Sequence, residues 1–211
     1  MNANTQDFWK GDFGNEYAKR NVGRIEANVA LFGRILAMTD GVQSFLELGC
    51  GTGQNLQALH ALVPGASLDG VEINEGAASA CKVGTIHNRS LLDFLGMVYP
   101  GPTDPAEHGL AAQFDLVFTK GVLIHQPPDE LPTIYRGMYH ATRRYVLLAE
   151  YYNPTPVEVP YRGHAGVLWK RDFAGEMLDT FPDLQLVDYG FAYHRGPFPQ
   201  DDITWHLMEK R

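Results

Sequence analysis

The sequence predicts an α/β fold built around a parallel sheet with helices on both faces. Three observations carry that expectation. Phe45-Leu46-Glu47-Leu48 is a short, nearly continuous apolar run, as in a strand covered on both sides. Gly49, Gly51 and Gly53 follow it, and Gln54 to Leu62 then places Leu56, Leu59 and Leu62 on one helical stripe. A second run, Leu68 to Ile73, ends in Glu72, and strand and helix patterns alternate from there to Glu150.

The glycine turn sets the functional expectation. Glycine lets the backbone bend sharply and approach a ligand, and the helix behind it offers free N–H groups to an acceptor-rich group. The dinucleotide fingerprint is G-x-G-x-x-G; here the third glycine comes one residue early, which argues against a nicotinamide-dependent reductase. Glu72 falls about 20 residues after the turn, where a carboxylate accepts from both ribose hydroxyls. Glu47, the glycine triplet and Glu72 together resemble the S-adenosylmethionine (SAM) site of class I methyltransferases. That resemblance implies a Rossmann-like fold, with a seven-stranded, mostly parallel sheet and a C-terminal antiparallel hairpin.

Taken in order, residues 1–21 read as an N-terminal aromatic strap or lid, and residues 22–211 as one SAM-binding domain. Phe8, Trp9, Phe13 and Tyr17 form an aromatic cluster broken by Gly11 and Gly14. It either packs as a strap or closes over the ligand, presenting ring faces to a sulfonium. From Tyr17 a helix is expected to run roughly to Met38, with Val22, Ile25, Val29, Phe32, Ile35 and Leu36 on its apolar side. Arg20 is a candidate for the methionine carboxylate.

After the turn, Glu75–Lys82 reads as a short helix and Val83–Asn88 as the third strand. The loop Arg89–Phe94 follows at the edge where an adenine is usually read, with Asn88 or Ser90 as polar contact and Leu91 against the ring. His87 is expected in the core. Tyr99–Gly109, rich in Pro and Gly, reads as a surface insertion. Phe114–Thr119 is the fourth strand, and Lys120 to His125 form the rim beyond it. Pro127, Pro128 and Asp129 open a helix, with Leu131, Ile134, Tyr135 and Met138 on its apolar side. Arg144–Glu150 is the fifth strand.

Tyr151-Tyr152-Asn153 and the loop through His164 leave the carboxyl end of that strand, where open sheets hold their ligands. Its length and prolines make it a functional-loop candidate. Asp172 caps a helix to about Phe181, and Leu184–Phe191 with Ile203–Glu209 form the closing hairpin.

Composition excludes several classes. The 211-residue chain carries a formal charge of −8 and no Lys/Arg cluster, which argues against nucleic acid and anionic membranes as partners. Cys50 and Cys81 make no disulfide framework, Met1–Lys10 lacks the apolar run of a signal peptide, and no segment is long and apolar enough to span a bilayer. A cytoplasmic protein with a small-molecule substrate is expected, a homodimer being admitted and no metal required.

A narrower resemblance covers nearly the whole chain. Phe8 to Tyr17 with Arg20-Asn21, Tyr151 to Pro156, Tyr161 to His164 and Lys170 to Glu176 are similar to bacterial proteins labelled pseudaminic acid biosynthesis-associated methylases. The resemblance implies that Gly49, Gly51 and Gly53 approach the methionine part of SAM and that Glu72 holds the ribose. It also implies that Asn74 and Leu91 flank the adenine. Ser90 stands where many relatives carry Asp. Glu47, Asn55, Ile73 and Lys120 complete the expected cofactor set.

Methyl transfer needs position and the removal of one proton. His125, His164, Tyr151, Tyr152 and Asn153 are the candidates. In-line transfer to a small polar substrate, of sugar or amine type, is the first reading. The alternative is a SAM cyclase, in which the SAM amine closes azetidine-2-carboxylate and expels methylthioadenosine. It needs a small dry site, where an amine of ordinary pKa near 8 loses its proton readily, and no acceptor pocket. A third reading is a non-catalytic SAM-binding protein.

Overall fold

The computed structural model of the chain describes residues 5–20, 25–98 and 112–211. Its centre is a seven-stranded sheet in the order β3-β2-β1-β4-β5-β9-β8. Strands β1 (Ser44–Leu48), β2 (Ser67–Glu72), β3 (Thr85–Asn88), β4 (Phe114–Lys120) and β5 (Thr142–Glu150) are parallel. Strand β9 (Ile203–Lys210) runs antiparallel to β5, and β8 (Leu184–Ala192) pairs antiparallel with β9 at the edge.

Side-chain alternation divides the core into two layers. Phe45, Phe118, Leu147 and Trp205 point to one face, under Leu31, Phe32 and Ile35 of α3 (Ile25–Leu36) and Leu56 and Leu59 of α4 (Gln54–Leu62). Leu46, Leu48, Val117, Val146 and Leu148 point to the other. There they meet Phe94 and Leu95 of α6 (Leu91–Val98), Ile134 and Met138 of α7 (Leu131–Ala141), and Phe173 and Met177 of α8 (Phe173–Thr180). His87 bonds Asp69 at 2.9 Å and packs on Phe94. Among the described residues no helix is long and apolar enough to cross a membrane.

Three expectations change. The helix expected from Tyr17 to Met38 is two: α2 (Asp12–Arg20) and α3, with residues 21–24 outside the described residues. The aromatic strap is itself helical, with α1 (Thr5–Lys10) ahead of α2. The loop after β5 contains a two-stranded pair, β6 (Val157–Glu158) with β7 (Trp169–Lys170). That pairing is non-local, which no local pattern reveals. The insertion expected over Tyr99–Gly109 lies outside the described residues.

Asn74 fixes the N-terminal helices to the sheet. It caps α5 (Glu75–Ala80), its Oδ1 accepting from Ala77 N at 2.9 Å. Its Nδ2 donates to Trp9 O and Lys10 O, both at 3.3 Å, and to Asn15 Oδ1 at 2.9 Å. One buried carboxamide therefore joins α1, α2, α5 and the end of β2.

Candidate functional site

The site forms where β1 ends. Gly49, Gly51 and Gly53 all have positive φ, of 73°, 54° and 77°, a region L-residues other than Asn and Asp rarely enter. Gly49 N and Cys50 N donate to Val71 O at 2.8 and 3.0 Å, binding the turn to β2. The end of β2 supplies the second tie. Glu72 Oε2 accepts from Gly51 N at 2.8 Å, and its Oε1 from Asn74 N at 2.7 Å. Burial raises the Glu72 pKa, against the pull of those backbone donors.

Glu47 lies beneath the turn, 1% exposed. Its Oε1 accepts from Asn55 Nδ2 at 2.5 Å, while Oε2 has no partner among the described residues. Desolvation pushes its pKa up to about 8, despite Asn55 and the nearby Lys120 charge.

A third carboxylate builds the rim beyond β4. Glu150, at the end of β5 and 3% exposed, accepts from Val122 N at 3.1 and 3.0 Å, Leu123 N at 3.1 Å and Ile124 N at 3.4 Å. These are the first-turn donors of the 3-10 turn Leu123–His125, which have no partner within the turn. Burial raises its pKa to about 7, opposed by the donors. The turn carries His125 inward, 7% exposed. His125 Nδ1 lies 2.6 Å from Val167 O, so the ring is the Nδ1–H tautomer and donates there. Desolvation lowers its pKa to about 4, and Nε2 keeps a lone pair. Trp9 covers the imidazole at 4.6 Å between centroids, with Tyr161 at 5.1 Å on another side.

These parts line a cavity of about 210 Å³ at the carboxyl ends of the parallel strands. Gly49, Gly51, Asn55, Glu72, Ile73, Asn74, Ser90, Leu91, Lys120 and His125 all reach its wall. Glu47 supports the wall from below through Asn55. Gly53 precedes α4 with its α-carbon against Cys81, where a Cβ would collide with Sγ.

Other expected residues stand off the wall. Arg20 is exposed, its guanidinium 5.9 Å from the Phe13 ring. Tyr151 is half-buried among core side chains. Tyr152 is 45% exposed and faces His206 of β9. Asn153 turns back on its own loop, donating to Thr155 O at 2.5 Å. His164 is exposed and packs on Phe8 and Phe13, at 5.0 and 5.9 Å. Tyr161 of the same loop does turn inward, against His125, while Trp9, Gly14, Tyr17 and Ala18 of α1 and α2 line the cavity.

Of the aromatic cluster expected over the ligand, Trp9 and Tyr17 reach the cavity. Asn28, Gln126 and Asp201 also line it and went unread in the sequence. Asn28 carried a signal, as a polar residue within the apolar stripe between Ile25 and Phe32. Glu150 carried another, as an acid closing an otherwise apolar strand. Among the described residues no group of three or more His, Cys, Asp or Glu side chains is placed to hold a metal ion.

Comparison with known proteins adds to this geometry. Residues 46–144 match a family model described as a methyltransferase domain. No curated protein matches the chain. Among solved structures, a SAM-dependent methyltransferase from Anabaena variabilis aligns with a TM-score of 0.69 at 13% identity, over 99% of this chain and 96% of that one. Magnesium protoporphyrin IX methyltransferase from Synechocystis, solved with bound SAM, aligns at 0.65 and 14%, over 98% and 95%. A third is 1,6-didemethyltoxoflavin-N1-methyltransferase from Burkholderia thailandensis, solved with its substrate and S-adenosylhomocysteine. It aligns at 0.65 and 14%, over 98% and 86%. The chain has the Rossmann-like class I methyltransferase fold.

Proposed function

We propose that the cavity binds SAM and that the chain is a SAM-dependent methyltransferase acting on a small polar substrate. The observation that carries the reading is the tie between Gly51 N and the Glu72 carboxylate, 2.8 Å apart on one wall. It joins the two halves of the sequence signature. Each Glu72 oxygen keeps a lone pair for a ribose hydroxyl.

The residues present fit the cofactor. A Cβ added at Gly51 or Gly121, both on the wall, would meet nothing within 4 Å. Both have left-handed backbone, at φ of 54° and 67°, and no protein atom fills the space beside them. Ser90, Leu91 and Ile73 would hold the adenine, Glu72 the ribose, and Gly49, Gly51 and Lys120 the methionine part. SAM bound there supplies a methyl carbon on a cationic sulfur with a thioether leaving group. The chain's own contribution is position and proton handling. His125 offers Nε2 as the acceptor for the nucleophile's O–H or N–H, its tautomer fixed by Val167 O. With a pKa of about 4 it is neutral across the physiological range, so it orients the nucleophile without competing charge. Trp9 and the helices α1 and α2 exclude water from that side.

The cavity size bears on the substrate. Ligand pockets commonly measure about 300–1,000 Å³, and this one is smaller. A cavity of that size leaves little room beyond the cofactor, so any acceptor must be small, and it equally admits the second reading, SAM as sole substrate. There the amine nitrogen bonds to the carbon γ to the carboxylate, the C–S bond breaks, and the amine proton leaves. The products are azetidine-2-carboxylate and methylthioadenosine.

Incubation of the purified chain with SAM alone, followed by mass spectrometry, separates the two. Unchanged SAM, with S-adenosylhomocysteine appearing once small amines or sugars are added, is the expected result. Methylthioadenosine and a four-membered ring amino acid from SAM alone would overturn methyl transfer in favour of cyclisation.

A further inference from the structure

We infer that Asn28, braced by Gln200, reads the carboxylate of the amino-acid head of the ligand at the end of the cavity remote from Ser90. This rests on the SAM reading above and assigns residues that no sequence motif marks.

Asn28 is 2% exposed, yet it lines the cavity. Gln200, also 2% exposed, comes from the turn before β9, 172 residues later. Its Nε2 donates to Asn28 Oδ1 at 3.0 Å, and its own Oε1 has no partner among the described residues. The two amides form a buried pair. Reversing both would leave a buried N–H unpaired on Gln200 in place of a carbonyl oxygen, the rarer and costlier defect. The orientation found therefore stands, with Asn28 Oδ1 occupied and Asn28 Nδ2 left as the group presented to the cavity. With Oδ1 taken by Gln200, Nδ2 is the donor that Asn28 offers an incoming acceptor.

Position identifies that acceptor. Ser90 follows β3, whereas Gln200 and Asp201 precede β9, on the opposite side of β1 and β4 in the sheet order. Glu72 and the glycine turn lie between. A ligand with its base at Ser90 and Leu91 and its ribose on Glu72 extends toward Asn28 with its remaining end. That end of SAM carries a carboxylate and an ammonium. The surrounding wall offers both signs, with Lys120 and Asn28 as donors and Asp201 as an acid. Gln200 is a positioning residue, holding the Asn28 amide in one orientation.

Calorimetry with S-adenosylhomocysteine and with methylthioadenosine tests this, because the second lacks the amino-acid head. Asn28→Asp should weaken S-adenosylhomocysteine by at least about tenfold, the loss of one hydrogen bond to a charged group, and leave methylthioadenosine unchanged. Gln200→Met, which keeps Asn28 itself, should reproduce a smaller selective loss. Equal losses for both ligands, or no loss for either, would overturn the assignment while leaving the SAM reading intact. Failure of the unaltered chain to bind either nucleoside would end the SAM reading, and this inference with it.

Discussion

The Glu72 carboxylate accepts from Gly51 N at 2.8 Å, so the acid at the end of β2 and the bend at the end of β1 are one unit. Glu72→Ala removes both the ribose acceptor and this tie. SAM affinity should fall by about 1.5–3 kcal/mol, read by calorimetry. Unchanged affinity would mean that Glu72 does not meet the ribose.

The glycines of the turn should separate by function. Ala at Gly53 collides with Cys81 Sγ and should lower the unfolding free energy, measured in urea. At Gly51, Ala meets no neighbour, so its fold cost is confined to the left-handed backbone, about 1–2 kcal/mol. Its methyl enters the cavity, however, and ligand affinity should drop more steeply than stability.

Stability should decline as pH rises from about 6.5 to 8. Folded Glu47 holds its proton up to about pH 8, whereas the unfolded side chain releases it near 4.5. Between those values the native state binds more protons, so raising pH favours unfolding, by up to about 1.4 kcal/mol per pH unit. Glu150 adds the same sign up to about pH 7. His125 acts oppositely below 6.5, since its folded pKa is depressed to about 4 and its contribution is lost as pH falls. Above 6.5 the carboxylates act without that opposition. Glu47→Gln should flatten the decline between pH 7 and 8 in urea titrations.

Glu150 positions His125 by holding Val122, Leu123 and Ile124 N–H groups. Glu150→Gln places an amide against those donors. It should cost about 1–3 kcal/mol of stability and raise the His125 pKa as the ring loosens, observable by NMR titration. Stability loss with an unmoved His125 would limit Glu150 to a structural role.

The sheet was legible because its signals are local. β1, its glycine turn and Glu72 lie within 30 residues and each follows a short-range rule. The parallel strands and the closing hairpin were readable for the same reason. The catalytic side was not. Tyr152, Asn153 and His164 share a loop with the right address, but in the fold Tyr152 faces His206, Asn153 bonds Thr155, and His164 packs on Phe8 and Phe13. Asn28 and Gln200 meet across 172 positions, a contact that no spacing pattern encodes. His125 was a candidate by place, while its tautomer and depressed pKa depend on Val167 and burial, which only the folded chain supplies.

Asn74 bears on kinetics. The carboxamide that clasps Trp9, Lys10 and Asn15 also lines the cavity proposed for the nucleoside. On the SAM reading, entry past α1 and α2 would require this clasp to release. The observed association rate should therefore level off at high nucleoside concentration, at the rate of unlatching, and Asn74→Ala should lift that plateau.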